Sequence, residues 1–193
     1  MFIYDGDEKK LFFISISIIL LALVFSGCTD NNNNSDNGGT DSALDGLSYI
    51  NTDYTPNFGM NYPDGWTVNE NDQFGPVRFY GDTINGFQVN LGITEPIPLD
   101  GETLTSVASQ MEEGYPEMFT NYTYVSSKTF TINGMDSYEL IYTFSQGNYD
   151  VKGKQVLIEK NEVVYFLTFT AGVDSFNDYI DVVDDSISSF KIA

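Results

Sequence analysis

The chain has 193 residues, with 28 acidic against 8 basic side chains, a formal net charge of −20, no histidine and one cysteine. Such an acidic balance repels phosphate, which argues against nucleic acid and against flat docking on anionic lipid. Without histidine there is no imidazole base and no His-ligated metal site, and one thiol allows no disulfide within a single copy.

Residues 11–25 are apolar except for Ser15 and Ser17, and Lys9 and Lys10 precede them. A basic flank, an apolar run of about 7–15 residues and small residues at the exit form the pattern of an export signal. The run falls short of the about 20 residues that a spanning helix needs. Its end, Val24-Phe25-Ser26-Gly27-Cys28, resembles a lipoprotein cleavage site with Cys28 as the acylated residue. The expected division is a signal peptide over 1–27 and a mature chain tethered through Cys28 to the membrane, on the extracytoplasmic side. Asp5, Asp7 and Glu8 dilute the basic flank. An uncleaved N-terminal anchor is the alternative, and it leaves the bulk of the chain on the same side.

Residues 28–46 are rich in Asn, Asp, Gly and Ser. Such a stretch cannot bury enough apolar surface to offset chain entropy, so it is expected to be a disordered linker that gives the domain reach. Its aspartates do not have the alternate spacing and terminal Glu of an EF-hand loop. Residues 47–193 then form one domain.

Within that domain, Pro63-Asp64-Gly65 turns the chain before Trp66-Thr67-Val68. Residues 77–80 and 87–93 read as strands joined by Asn85-Gly86, a type I′ hairpin signal. Leu104, Val107, Ala108 and Met111 recur at i, i+3, i+4 and i+7 and predict an amphipathic helix, ended by Gly114 and Pro116. Strands follow over 122–132, 136–144, 149–160 and 163–171, turning at Asn133-Gly134, Gln146-Gly147-Asn148 and Lys160-Asn161, so neighbours are antiparallel. Tyr138, Leu140, Tyr142 and Phe144 share one face of their strand, as do Val163, Tyr165, Leu167 and Phe169 of theirs. Phe176, Tyr179, Ile180, Val183 and Ile187 give a second helix its apolar face, with Asp174 as expected N-cap. Ser189-Phe190-Lys191-Ile192 reads as a short edge strand or tail. Two amphipathic helices are available to cover the sheet, which predicts an α/β sandwich with a mainly antiparallel sheet.

Candidate sites are sparse. Asp174, Asp178, Asp181 and Asp185 fall at i, i+4, i+7 and i+11, one acidic stripe, and carboxylate oxygens suit calcium. The competing reading is a solvated acidic face. Asp184 and Asp185 lie near the helix C-terminus, where the dipole disfavours anions and a cation would relieve the cost. Asn33 and Asn121 begin glycosylation sequons. No Gly-x-Ser-x-Gly elbow, free mature thiol or His base is present, so an enzyme is not expected. Unmarked Asp/Glu pairs leave a carboxylate-dependent glycosidase as the remaining enzymatic alternative.

The run Asn57-Phe58-Gly59-Met60-Asn61-Tyr62-Pro63-Asp64-Gly65-Trp66-Thr67-Val68 resembles the opening of the PsbP-like family, and the later order of strands and helices fits over residues 47–193. The resemblance implies an α-β-α sandwich with a central antiparallel sheet and two main helices. Similar domains occur as exported prokaryotic lipoproteins. The photosystem role of the best-known members does not carry over, since histidine and a basic docking segment are both missing. Tyr62, Pro63, Gly65 and Trp66 read first as a packed turn and second as an aromatic groove. The expected function is a membrane-tethered, non-catalytic accessory or binding module for a surface protein or complex. A calcium- or small-ligand-binding lipoprotein is the alternative.

Overall fold

The computed structural model describes residues 43–193. The expected signal peptide, Cys28, Asn33 and most of the expected linker lie outside the described residues. Residues 43–46 already take part in the fold. They turn, Leu44 is fully buried, and the Leu47 N–H donates to Leu44 O at 3.3 Å.

Eleven strands and two helices follow. They are β1 (Tyr49–Asn51), β2 (Phe58–Met60), β3 (Thr67–Asn69), β4 (Val77–Ile84), β5 (Phe87–Ile93), β6 (Ile97–Pro98), α1 (Leu104–Met118), β7 (Thr120–Ile132), β8 (Met135–Gln146), β9 (Tyr149–Lys160), β10 (Val163–Gly172), α2 (Phe176–Ser188) and β11 (Lys191–Ile192). An eight-stranded antiparallel sheet runs β3-β4-β5-β10-β9-β8-β7, and β6 takes over from β5 along the rest of β10. A small sheet, β1-β2-β11, packs over it.

Both faces of the large sheet are covered. On one, α1 sets Leu104, Val107, Ala108, Met111 and Tyr115 against Leu140, Tyr142, Phe144, Leu157 and Phe166. On the other, α2 and the small sheet bury Val183, Ile187, Phe58 and Phe190 against Phe79, Leu91, Val156, Tyr165 and Leu167. Alternate residues of β10 therefore serve two different cores, and its eight central residues are all buried. Each fully buried Leu, Val or Phe contributes about 1.5–3 kcal/mol by leaving water. The α-β-α sandwich expected from the resemblance is the fold observed.

Three local expectations need correction. The first helix does not stop at Gly114 and Pro116; it continues to Met118 with Pro116 inside it. Tyr115, fully buried among Phe119, Tyr122 and Tyr142, fixes this last turn, and the Phe119 N–H still donates to Tyr115 O at 2.8 Å. Packing here outweighs the amide bond that Pro116 cannot make. Asp174 is not the N-cap of α2. Ser175 holds that place, and its Oγ–H donates back to Gly172 O at 3.2 Å, closing the turn out of β10. The β9–β10 turn is centred on Asn161 and Glu162, both at positive φ, rather than on Lys160-Asn161.

Candidate ligand cleft

One end of the large sheet opens into a cleft of about 620 Å³. Three connections far apart in sequence meet there: the β4–β5 turn, the β8–β9 turn and the link from β10 into α2. Antiparallel pairing brings them together, since Asn90 lies opposite Thr170, and Val151 opposite Gly172. Asn85 (φ 51°) and Gly86 (φ 87°) take the left-handed conformations of a type I′ turn. Gly86 has a further reason to be glycine. A β-carbon there would stand 2.8 Å from the Tyr149 hydroxyl, so the Tyr149 side chain lies against the hairpin tip.

Aromatic rings of Phe87, Phe144 and Tyr149 form part of the cleft wall, with Tyr149 edge-on to Phe87 at 5.7 Å. Around them stand Asn85, Asn121, Asn148, Thr143, Ser145, Asp150 and Asp174. A short relay orders one side. Asn121 Nδ2–H donates to Ser145 Oγ at 3.1 Å, and Ser145 Oγ–H donates to Asp150 Oδ1 at 3.1 Å. The Val173 N–H donates to Asp150 O at 2.9 Å and ties the α2 connection to the same strand. No lysine or arginine lines the cleft.

The sequence candidates divide between this cleft and open surface. Asp174 and Asn121 both line the cleft. Asn121 sits at φ 54° beside a register shift in β7, with its amide engaged by Ser145. Asp178, Asp181 and Asp185 are exposed on α2. Among the described residues, no three Asp, Glu, Cys or His side chains gather as a metal-holding group.

Asp184 has a protein cation for its neighbour. Lys154 Nζ on β9 is buried, bonded to Asp184 and 2.7 Å from Glu139 on β8. The charge expected to trouble the C-terminal half of α2 is met by the sheet beneath it. A second buried ion lies between the β3–β4 connection and β4, where Arg78 is bonded to Asp72 and donates to Asn90 at 2.8 Å. Asn90 Nδ2–H in turn donates to Thr170 Oγ1 at 2.9 Å. Neither cluster was visible in the sequence, because Lys154 and Asp184, Arg78 and Asn90, and Asn90 and Thr170 are paired only by the folded arrangement of strands and helix and have no fixed spacing.

The Tyr62-Pro63-Asp64-Gly65-Trp66 motif is a packing device. The Trp66 N–H donates to Pro63 O at 3.2 Å, and Gly65 (φ 80°) permits the reversal. Tyr62 stacks on Phe79 at 5.0 Å and 13°. Trp66 lies over Gly81, where a β-carbon would come within 2.7 Å of the indole, and meets Tyr179 edge-on at 6.1 Å. The rings hold β4 and α2 together.

Burial leaves several tyrosines strongly protonated. Tyr115 and Tyr142 are pushed well above the ordinary value by loss of solvent. Tyr122 is raised to about 12, first by burial and then by the charge of Glu112. Its hydroxyl is one of two buried side-chain oxygens, with Thr94 Oγ1, that lack a hydrogen-bond partner among the described residues.

Known proteins share this architecture at low identity. CyanoP from Synechocystis sp. PCC 6803 is 19% identical, with a TM-score of 0.55 over 82% of this chain and 98% of its own. LpqN, described as involved in cell envelope biogenesis of Mycobacterium tuberculosis, is 14% identical, with a TM-score of 0.53 over 70% and 83%. PA94 from Pseudomonas aeruginosa, a protein of unknown function, is 13% identical, with a TM-score of 0.54 over 75% and 96%. No curated protein sequence matches the chain. The PsbP-like protein family matches residues 12–192. With the match spanning nearly the whole chain and the Tyr-Pro-x-Gly-Trp turn packed at the sheet's edge, the chain belongs to the PsbP-like proteins.

Proposed function

We propose that this protein is a lipid-tethered, extracytoplasmic, non-catalytic PsbP-like module that serves a surface protein or complex. The carrying observation is the apolar run of residues 11–25, which ends at Cys28 and is followed by an Asn- and Asp-rich spacer ahead of the folded domain. The family match begins inside that run, at residue 12, which supports treating the leader and the domain as one design. LpqN, a structural relative, is described as taking part in cell envelope biogenesis, and an envelope-side position agrees with it. The non-catalytic reading rests on the amino-acid sequence, which has no histidine to act as an imidazole base.

Two acyl chains are needed for a stable anchor, because one binds a bilayer only marginally. The test is metabolic labelling with a clickable fatty acid, followed by membrane fractionation of wild type and Cys28→Ser. Wild type is expected in the membrane fraction with label and with an intact mass that includes at least two acyl chains. Cys28→Ser is expected to lose the label and either leave the membrane or persist as precursor. Unlabelled wild type, or a variant that fractionates and labels like it, rejects the tether. Cross-linking in intact cells then identifies the neighbour.

A further inference from the structure

The geometry points to the cleft at the N-terminal end of α2 as a binding site for a neutral, hydroxyl-rich ligand, of the kind presented by an uncharged glycan. This deepens the binding-module reading, and it stands whether or not Cys28 is acylated. The cleft's volume of about 620 Å³ lies inside the range of about 300–1,000 Å³ usual for small-molecule sites.

The lining selects among ligand classes. Anions are disfavoured: no lysine or arginine faces the cleft, and Asp150 and Asp174 make its potential negative. Asp174 and Asp178 already supply negative charge beside the first turn of α2, where the helix dipole would otherwise draw a phosphate. A hydrocarbon chain is disfavoured by the ring of amides, hydroxyls and carboxylates that it would desolvate without replacement. A bare metal ion is disfavoured because only two carboxylates line the cleft and one oxygen of Asp150 is taken by Ser145.

What remains is a ligand whose groups both donate and accept, over an apolar patch. Side-chain amides match that demand, since each carries two donors and an accepting oxygen. Asn85 and Asn148 stand at the tips of the two turns, and their side chains make no hydrogen bond within the described residues. Asp174 likewise has no hydrogen-bonded partner there. Tyr149 provides a ring against which the C–H face of a sugar can rest, and its position is fixed by Gly86 and Phe87. A hydroxyl-rich ligand would thus find free polar groups at the rim and a fixed aromatic surface beside them.

The test uses full-length protein in a detergent without a sugar headgroup, applied to an array of neutral and anionic glycans. The best neutral binder is then titrated by calorimetry. Neutral glycans are expected to be retained, and sulfated or uronate-rich ones are not. Asn148→Ala and Tyr149→Ala are each expected to weaken binding at least tenfold. Asp181→Asn, on the same helix but outside the cleft, is expected to leave it unchanged. Thermal melts establish that each variant is folded; should Tyr149→Ala not fold, Asn148→Ala on its exposed turn decides alone. Retention of no neutral glycan overturns the proposal, as does binding that Asn148→Ala leaves intact. So does a heat with calcium chloride in the absence of any glycan binding, which would reassign the cleft to a cation. Repeating the titration on Cys28→Ser protein separates failure of this site from failure of the tether.

Discussion

The guanidinium of Arg78 lies across the backbone of Gly92, so that a β-carbon at Gly92 would stand 2.7 Å from Nη1 and 2.8 Å from Cζ. Arg78 and Gly92 are opposed residues on β4 and β5, and the missing side chain of one makes room for the charged head of the other. Arg78 is almost wholly buried and depends on Asp72 and Asn90 for compensation. Gly92→Ala forces the guanidinium out of the place where both partners hold it. Uncoupling a buried ion pair costs about 3–5 kcal/mol, so this smallest of substitutions is expected to lower stability by at least about 3 kcal/mol in urea unfolding. A loss below about 1 kcal/mol would mean that the guanidinium can shift without leaving its partners.

Lys154 and Asp184 differ in how much of their loss water can make good. Its ammonium serves Glu139, which is buried, and Asp184, which is 46% exposed at its side chain. Lys154→Met leaves Glu139 with only the solvent-exposed Lys128, 3.2 Å away, and is expected to cost about 3 kcal/mol or more. Asp184→Asn removes a partner that water can replace, and is expected to cost no more than about 1 kcal/mol. Equal losses in the two variants would show that α2, rather than the buried carboxylate, depends on the lysine.

The contrast between elements and sites shows what a one-dimensional reading can reach. The stripe Phe176, Tyr179, Ile180, Val183 and Ile187 and the alternation Tyr138, Leu140, Tyr142, Phe144 are local periodicities, and each faces the core it predicts. Asn85-Gly86 and Asn133-Gly134 fold as turns because the left-handed backbone requirement is a property of two adjacent residues. Asn133 also donates to Ser188 O at 3.1 Å and Phe190 O at 2.8 Å, closing the C-terminal end of α2. That second role depends on a contact 55 or more positions away and leaves no local signature. The cleft has the same character. Asn85 and Asn148 were legible only as turn residues, since their meeting follows from the strand order β4-β5-β10-β9-β8. Pro116 misleads for the opposite reason: its local signal is real, and the aromatic cluster around Tyr115 overrides it.

Two tyrosines, one fully buried and one half-buried with its hydroxyl out of solvent, are expected to respond oppositely to loss of their hydroxyls. Tyr115 Oη–H donates to Gln155 Oε1 in a fully buried setting. Tyr115→Phe orphans that oxygen, a cost of about 1–3 kcal/mol. The Tyr122 hydroxyl has no partner among the described residues, so Tyr122→Phe removes an uncompensated group and is expected to be neutral or stabilising by as much as about 1 kcal/mol.

Alkaline pH provides an independent check on the same pair. The folded protein holds the Tyr122 proton to about 12, whereas the unfolded chain releases it near the ordinary value of 10.0. Tyr115 and Tyr142 are shifted in the same direction by burial. Between those limits the unfolded state binds fewer protons, so stability falls as pH rises. The contribution is fully present below pH 10 and is lost on the way to about pH 12. Urea unfolding at successive pH values is expected to show this decline, with a shallower slope for Tyr122→Phe. A stability independent of pH in that window would contradict the burial of these rings.

The β9–β10 turn carries a conformation that its sequence does not favour. Asn161 and Glu162 stand at φ 55° and 63°, the left-handed pair of a type I′ turn, and the Leu99 N–H donates to Glu162 O at 2.8 Å. Asparagine tolerates that region, but glutamate has no local hydrogen bond to offset the close approach of its β-carbon. Asn-Gly is the preferred pair for such turns, and the β7–β8 turn has it at Asn133-Gly134. Glu162→Gly is therefore expected to stabilise the protein by about 1 kcal/mol, after the greater freedom of glycine in the unfolded chain offsets part of the relief. Gly134→Ala provides the converse test. Gly134 lies at φ 79° with no atom within 4 Å of its would-be β-carbon, so only the backbone conformation resists the substitution. It is expected to destabilise by about 1 kcal/mol. Paired urea titrations that gave the same sign for both variants would refute the backbone argument, because the two substitutions remove and impose the same left-handed penalty.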